Sequence, residues 1–526
     1  MSSGSLALVL HAHLPFVRHP EHDEFLEEDW LFEAITESYI PLIAMMERLV
    51  HEGVPFKLTI SITPPLCAML QDPLLRERYV RHLERSIDLA TREITRNRSD
   101  EQLSALAQFY VDLFTDCRRR FVDDWKCDLL FAFRQLRDAG VLEVIASAAT
   151  HGLLPLLQSP PTAVRAQVLI GRDAHREIFR GEPAGFWLPE CAYAPALDPI
   201  LQEANLRWFI LDAHGLLFAK PRPRRAIYAP CYTPAGPAAF ARDRDSSRQV
   251  WSAQEGYPGD PAYRDFYRDI GFDFSLDYLF PNSNGERVRK FTGIKYHRIT
   301  GRNIDKEIYN RDWAEKAAEA HANHFLESRR AQMNELCSLG FDPIVVAPFD
   351  AELFGHWWFE GPRFLELFIR KAAQDRHNFQ LTTPSDYLAS HATQQIVEPA
   401  ASSWGDKGYL GVWLDESNAW IYPHLHAAAR RMTEIARVHA DNPSPLTERV
   451  LKQLARELLL AQSSDWAFLI KTGTAREYAS KRAKDHLLRF NRLHDQLSAG
   501  NIDEEFLGDC EWRDNIFPNV NWRYYI

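Results

Sequence analysis

Histidines and carboxylates recur in this chain at the ends of short apolar runs. Leu6 to Leu10 leads into His11-Ala12-His13. Leu142 to Ala146 leads into Ala149-Thr150-His151, and Gly185 to Leu188 into Pro189-Glu190. Trp208 to Leu211 is followed by Asp212-Ala213-His214, and Pro343 to Ala347 by Phe349-Asp350, with Glu352 two residues on. A lone histidine in such a place is usually a structural hydrogen-bonder. Five ionisable positions placed alike call for chemistry, and two kinds suit them. Glu190 and Asp350 are a candidate pair for glycosyl transfer with retention, which needs one carboxylate as nucleophile and another as acid/base roughly 5–5.5 Å away. The alternative is metal-assisted hydrolysis. In His11-x-His13 the strand alternation turns both rings to one side, and with His151, His214 and Asp350 they offer a set able to hold zinc. Spacing alone leaves both open.

Aromatic residues favour the first. Trp187, Trp251, Tyr257, Trp357, Trp358, Trp404 and Trp413 lie beside expected loops or strand ends. Sugar rings stack their apolar C–H faces on such planes, while their hydroxyls seek charged or amide partners. Trp404 and Trp413 sit in a polar, glycine-rich stretch, SSWGDKGYLGVWLDESN, which predicts a surface or cleft position for both.

The elements that must hold these residues follow from the apolar pattern. Short continuous runs predict strands buried on both faces, as in parallel sheets. They are Leu6–Leu10, Phe56–Ile62, Leu142–Ala146, Gly185–Leu188, Trp208–Leu211 and Pro343–Ala347. Helical patterns lie between them: Asp72–Thr95, Glu101–Ala139, Thr162–Arg180, Ala196–Ala204 and Asp312–Leu339. Alternation of this kind predicts an α/β fold, closed or nearly closed into a β/α barrel, whose catalytic groups stand at the C-terminal ends of the strands. We place this catalytic barrel over residues 1–395, with a helical excursion near 64–140 and a loop region near 213–240. The Pro/Ala-rich stretch Lys220–Ala239 reads as loop. From 396 to 526 the strand signals stop and helices are expected over Asn418–Ala440, Ser444–Gln462 and Thr472–Leu497, with Ser444-Pro445 as N-cap and first helical residue.

Composition narrows the partners. The 526 residues carry a net charge of −11, against a general nucleic-acid binder. With 46% hydrophobic and 25% charged residues the chain is globular, not disordered. Seven scattered cysteines without a CxxC pair argue against a disulfide framework or thiolate zinc site. No run of eighteen apolar residues and no signal-peptide pattern is present, so a cytoplasmic protein without membrane partners is expected.

Taken together, several segments resemble glycoside hydrolase family 57, and within it the 1,4-α-glucan branching enzymes. They are His11-Ala12-His13-Leu14-Pro15, the region Ala149 to Leu153, Gly185-Phe186-Trp187-Leu188-Pro189-Glu190, and Ala347-Pro348-Phe349-Asp350-Ala351-Glu352 through Gly355-His356-Trp357-Trp358. Arg242-Asp243, Val250-Trp251-Ser252, Glu255-Gly256-Tyr257-Pro258-Gly259 and Ser464-Asp465-Trp466 resemble the branching subgroup. The resemblance spans nearly the whole chain. It implies an incomplete (β/α)₇ barrel with a small insertion and a C-terminal helical domain. It further implies that Glu190 is the nucleophile and Asp350 the acid/base, that His11, His13 and His151 line the donor subsite, and that Arg242, Gly259, Trp404 and Asp465 contact substrate. Trp251 and Trp413 are further aromatic candidates. The implied partner is an α-glucan such as amylose or a glycogen-like polysaccharide, with no cofactor and no metal. A covering-loop tyrosine of the subgroup has Tyr228 and Tyr232 as candidates here. Asp350 is expected to be protonated through burial beside Phe349 and Trp357, and Glu190 to be kept ionised by a histidine or arginine. An α-amylase or 4-α-glucanotransferase of the same family shares this machinery. A zinc-dependent amidohydrolase or deacetylase, or a non-catalytic glucan binder, are the readings from other classes.

Overall fold

The computed structural model describes residues 4–251, 256–281, 288–301, 305–375 and 378–526. Among the described residues, nine strands form one sheet: β1 (Gly4–Ala12), β2 (Leu58–Ile62), β3 (Leu142–Ser147), β4 (Gly185–Trp187), β5 (Trp208–Leu211), β6 (Cys231–Tyr232), β7 (Ala238–Ala241), β8 (Ile344–Asp350) and β9 (Phe379–Leu381). Seven of them run parallel in the spatial order β7-β5-β4-β3-β2-β1-β8. Beyond its edges the sheet curls until a single bridge, Arg242 to Val346, joins the end of β7 to β8. This is the incomplete (β/α)₇ barrel. β6 pairs antiparallel with β7, and β9 pairs with residues Gly4–Leu6 of β1.

Strand parity aims the chemistry. Ala7 and Val9, Ile145, Trp187, Trp208 and Ile210, Ala238 and Phe240, and Ile344 and Val346 share the apolar cluster that fills the barrel. Stepping on by two along those strands gives His11 on β1, Asp212 after β5, Arg242 after β7 and Asp350 on β8. The inward face that packs the core below therefore delivers polar groups at the mouth. Bulk is matched within the cluster. Trp208 so fills the space beside β4 that a Cβ on Gly185 would lie 2.2 Å from its ring.

Residues 220–239, expected as loop, hold β6 and the start of β7, the seventh barrel strand. Its sequence, Ala-Ala-Phe-Ala, carries no bulky β-branched signal, because small side chains fit against Trp208 (ring centroids of Trp208 and Phe240 5.7 Å apart). The pattern Glu101–Ala139, expected as one helix, is Glu101–Arg119, a π turn at Arg120–Asp124, and Leu129–Asp138. The break falls where Lys126 and Cys127 adopt positive φ. The described residues of 256–310 carry the turn Tyr257–Gly259, two four-residue helices and isolated bridges (Arg264 with Arg298, His297 with Ile308), and no periodicity announced this insertion.

The C-terminal helices Ile421–Val438, Pro445–Ala461, Ser464–Thr472 and Arg476–Ala499 pack against the β3–β7 half of the barrel in one apolar cluster. Ser444 caps the second by accepting from Thr447 N. No helix of the described residues is long and apolar enough to cross a membrane.

Candidate active site

Glu190 stands where the parity rule is broken on purpose. After β4, Pro189–Cys191 forms a tight turn in which Glu190 (φ 62°) and Cys191 (φ 47°) are left-handed. Such a conformation is costly for a residue with a Cβ, about 1–2 kcal/mol. It is held by Cys191 N donating to Leu188 O (2.8 Å), Ala192 N to Pro189 O (3.0 Å) and Trp404 N to Glu190 O (3.0 Å). The result turns the Glu190 carboxylate into the barrel mouth. There Trp404 Nε1 donates to Oε2 at 2.8 Å and Ser464 Oγ to Oε1 at 3.2 Å.

Three histidines form a stack beside it. His11 lies flat on Trp187 (4.4 Å, 14°), and the His13 and His151 rings are 3.9 Å apart. His11 Nε2 and His151 Nε2 are 3.0 Å apart, and His151 Nδ1 and Ser464 Oγ 2.9 Å. Burial, then the neighbouring imidazoles, holds His11 and His151 well below the ordinary histidine range, so both are neutral. Since Ser464 gives its proton to Glu190, the network assigns a direction: His11 Nε2–H to His151 Nε2, His151 Nδ1–H to Ser464 Oγ, Ser464 Oγ–H to Glu190. His13 is fixed separately, its Nδ1 2.8 Å from Thr63 Oγ1 and its Nε2 3.0 Å from Asp465 Oδ2. Burial opposes ionisation of Asp465, yet His13 and the Ser463 hydroxyl hold it at about 2. Asp465 and Ser464 begin the helix Ser464–Thr472, which Ser464 N ties to His151 O (3.1 Å). The helical domain thus supplies two side chains of the site.

Asp350 ends β8. Burial, and next the charge of Glu352, raises it well above the ordinary carboxylate range, with Arg242 opposing. Trp357, expected to help bury it, is instead half exposed. Glu190 also departs from expectation. Its histidine neighbour is neutral, and burial lifts it to about 7 despite Trp404, with Asp465 and Asp350 adding to the rise. Glu352 accepts from Tyr39 OH (2.5 Å) and His13 N (3.1 Å). Burial raises it to about 7 against those bonds. Arg242 Nε lies 3.1 Å from Asp212 Oδ2, with its guanidinium 5.8 Å from the Trp404 ring. Trp251 stands 6.1 Å from the same ring and is half exposed.

The structure therefore brings together Glu190, Asp350, His11, His13, His151, Arg242, Trp404 and Asp465, with Trp251 at the rim. Trp413 is elsewhere. Expected at a surface or cleft, it is 2% exposed and packs under Gly405, because the glycines of its loop allow the chain to fold over it. Gly259 is exposed at the end of the turn Tyr257–Gly259; Ser252 and Glu255 lie outside the described residues. Tyr228 and Tyr232 are not covering the site. Tyr228 O accepts from Ile344 N at the start of β8, and Tyr232 pairs with Ala238 at the start of β7, both at the opposite end of the barrel. His214 pairs with Asp212 (2.8 Å). Neither Thr63 nor Tyr39 is marked by the sequence motifs, and Ser464 and Glu352 appear only as members of theirs, without a role. Thr63 and Glu352 lie in phase with Ser61 and Asp350, and that parity was the available signal.

Among the described residues, two groups of three donors stand close enough to share an ion: His13, His151 and Asp465, and Glu457, His486 and Asp514. In the first, His13 and Asp465 already satisfy each other.

The turn after Asp350 is closely packed. Gly355 has φ 115°, and a Cβ there would fall 1.7 Å from Glu37 O. Gly355→Ala should cost about 3 kcal/mol, read as a lowered melting temperature.

A carboxylate pair at the mouth of a parallel β/α barrel, set among neutral imidazoles and indoles, defines a class of proteins that act on glycosidic bonds. The Glycosyl hydrolase family 57 model matches residues 7–400, and the model for the 1,4-alpha-glucan branching enzyme C-terminal region matches residues 424–525. The chain belongs to glycosyl hydrolase family 57. It is 34% identical to a 1,4-alpha-glucan branching enzyme of Thermococcus kodakarensis over 98% of its own length and 78% of that protein's. The crystal structure of a GH57-type branching enzyme from Pyrococcus horikoshii has a TM-score of 0.89, 35% identity and coverage of 99% and 97% of the two chains. That of the alpha-amylase AmyC from Thermotoga maritima has a TM-score of 0.93, 45% identity and 99% coverage of both.

Proposed function

We propose that this protein is a retaining 1,4-α-glucan branching enzyme. Glu190 attacks the anomeric carbon of an α-1,4-linked chain while Asp350 gives its proton to the leaving oxygen. The 6-hydroxyl of an acceptor glucan, deprotonated by Asp350, then displaces Glu190 and closes an α-1,6 branch. The observation that carries this reading is the unequal pair. Glu190 accepts two hydrogen bonds, from Trp404 Nε1 and Ser464 Oγ, that favour its ionised form, whereas burial and the charge of Glu352 raise Asp350 well above the ordinary carboxylate range and so favour its protonated form; the first suits a nucleophile and the second an acid. Trp404 and Trp251 offer the stacking faces that a glucan needs, and the histidines and Asp465 its hydroxyl partners. A glycogen-like polysaccharide in the cytoplasm is the substrate and setting we infer, supported by the acidic chain and its seven free cysteines.

Hydrolysis is the second reading, favoured by the likeness to the alpha-amylase AmyC. Incubation with amylose, then a debranching enzyme and chain-length analysis, separates the two. Chains released only by debranching are expected. Shorter linear chains alone would make the protein an amylase. Full activity after dialysis against a chelator is expected as well, and its loss would favour the metal-dependent hydrolase.

A further inference from the structure

Seven residues past Asp350 the chain holds an indole in water. Trp357 is 53% exposed, whereas its neighbour Trp358 is 1% exposed and packs the core. The turn that carries Trp357 is tightly bound. Its own N donates to Glu352 O (3.1 Å), Gly355 N to Trp358 O (2.8 Å) and His356 N to Ser38 Oγ (3.1 Å). Folding alone gives no reason to fix a large apolar ring in this way. One face of the indole rests on Phe266, centroids 4.4 Å apart and planes within 22°, so the exposed area is that of the other.

Polar groups adjoin it. His356 Nδ1 is engaged by Glu37 Oε2 at 2.6 Å, while its Nε2 stands 3.9 Å from Glu33 Oε2, beyond hydrogen-bond reach. Glu33 lies one turn after Trp30 on the helix Asp29–Ala34, so the two share a face. Trp30, Glu33, His356 and Trp357 make a row of ring, acid, imidazole and ring. A sugar hydroxyl both donates and accepts, and so can bridge Glu33 and His356, while a pyranose face covers an indole.

The position of the row decides which sugar. Its His356-Trp357 turn leaves the end of the strand bearing Asp350 and is tied back to it through Glu352, whose backbone O accepts from Trp357 N. In retaining transfer the acid/base stands beside the leaving oxygen, so the leaving sugars, and the acceptor that replaces them, lie on its side. We propose that Trp357, backed by Phe266, forms with His356, Glu33 and Trp30 a binding site for the acceptor chain, a linear α-1,4-glucan. The site rests on the retaining-transfer reading above.

An α-maltotriosyl fluoride donor isolates it, since fluoride leaves without a sugar on the acceptor side. Fluoride release is followed with and without maltotetraose as acceptor. Wild-type release should rise with maltotetraose. In Trp357→Ala the ratio of stimulated to unstimulated rate should fall at least tenfold, and Trp357→Phe should recover most of it. Trp357→Leu, which keeps apolar contact with Phe266, gives the same reading should the alanine variant not fold. An unchanged ratio in either folded variant, or a wild-type rate that maltotetraose does not raise, overturns the site alone. No fluoride release by the wild type overturns the retaining-transfer reading and the site with it.

Discussion

Glu190→Ala should abolish turnover on both amylose and an α-glucosyl fluoride, whereas Asp350→Ala should be crippled on amylose and much less so on the fluoride. The difference follows from the two roles. Without Glu190 no glucanyl-enzyme forms, whatever leaves. Without Asp350 the sugar oxygen must depart unprotonated, a loss of about 10²–10⁴ in rate, but fluoride needs little such help at that step. Initial rates on the two substrates, with circular dichroism to verify folding, measure the contrast. Equal residual activity of the two variants on the fluoride would show that the roles are wrongly assigned. The pair also sets the pH profile. kcat/KM should rise with pH as Glu190 loses its proton near 7, and fall again as Asp350 titrates well above the usual carboxylate range.

Replacing Trp404 should have the next largest effect, because its indole N–H binds the Glu190 carboxylate (2.8 Å) while its ring borders the cleft; the backbone N–H that steadies the Glu190 turn (3.0 Å) is kept in any such variant. Trp404→Ala should lower kcat/KM on amylose by more than tenfold. Trp404→Phe separates the contributions. It keeps an aromatic face but loses the N–H that stabilises ionised Glu190. Since that bond opposes the burial that raises Glu190, losing it should move the acid limb of the pH profile to higher pH. A limb that stays in place would mean that the hydrogen bond does not govern the nucleophile.

Much of this was legible before folding. The apolar runs ending in His11, His151, Glu190, Asp212 and Asp350 located five barrel strands, since a strand buried on both faces has little choice but a continuous apolar sequence. β7 escaped because a barrel packed with Trp187 and Trp208 needs small residues opposite them, and Ala-Ala-Phe-Ala does not advertise a strand. Trp413 misled for a related reason: polar and glycine-rich flanks suit a loop that folds over a ring as well as one that displays it.

Sequence by itself located the barrel strands and the acids and histidines at their ends, because strand alternation and the placing of polar groups at strand ends are local rules; the family followed from the likeness of whole motifs. Tertiary structure alone decided the protonation and the partners. Glu190 near 7, the neutral His11 and His151, and Asp465 joined to His13 across 452 residues all depend on burial and on contact between distant segments. Burial is a property of everything packed around a group, and no window of sequence contains it.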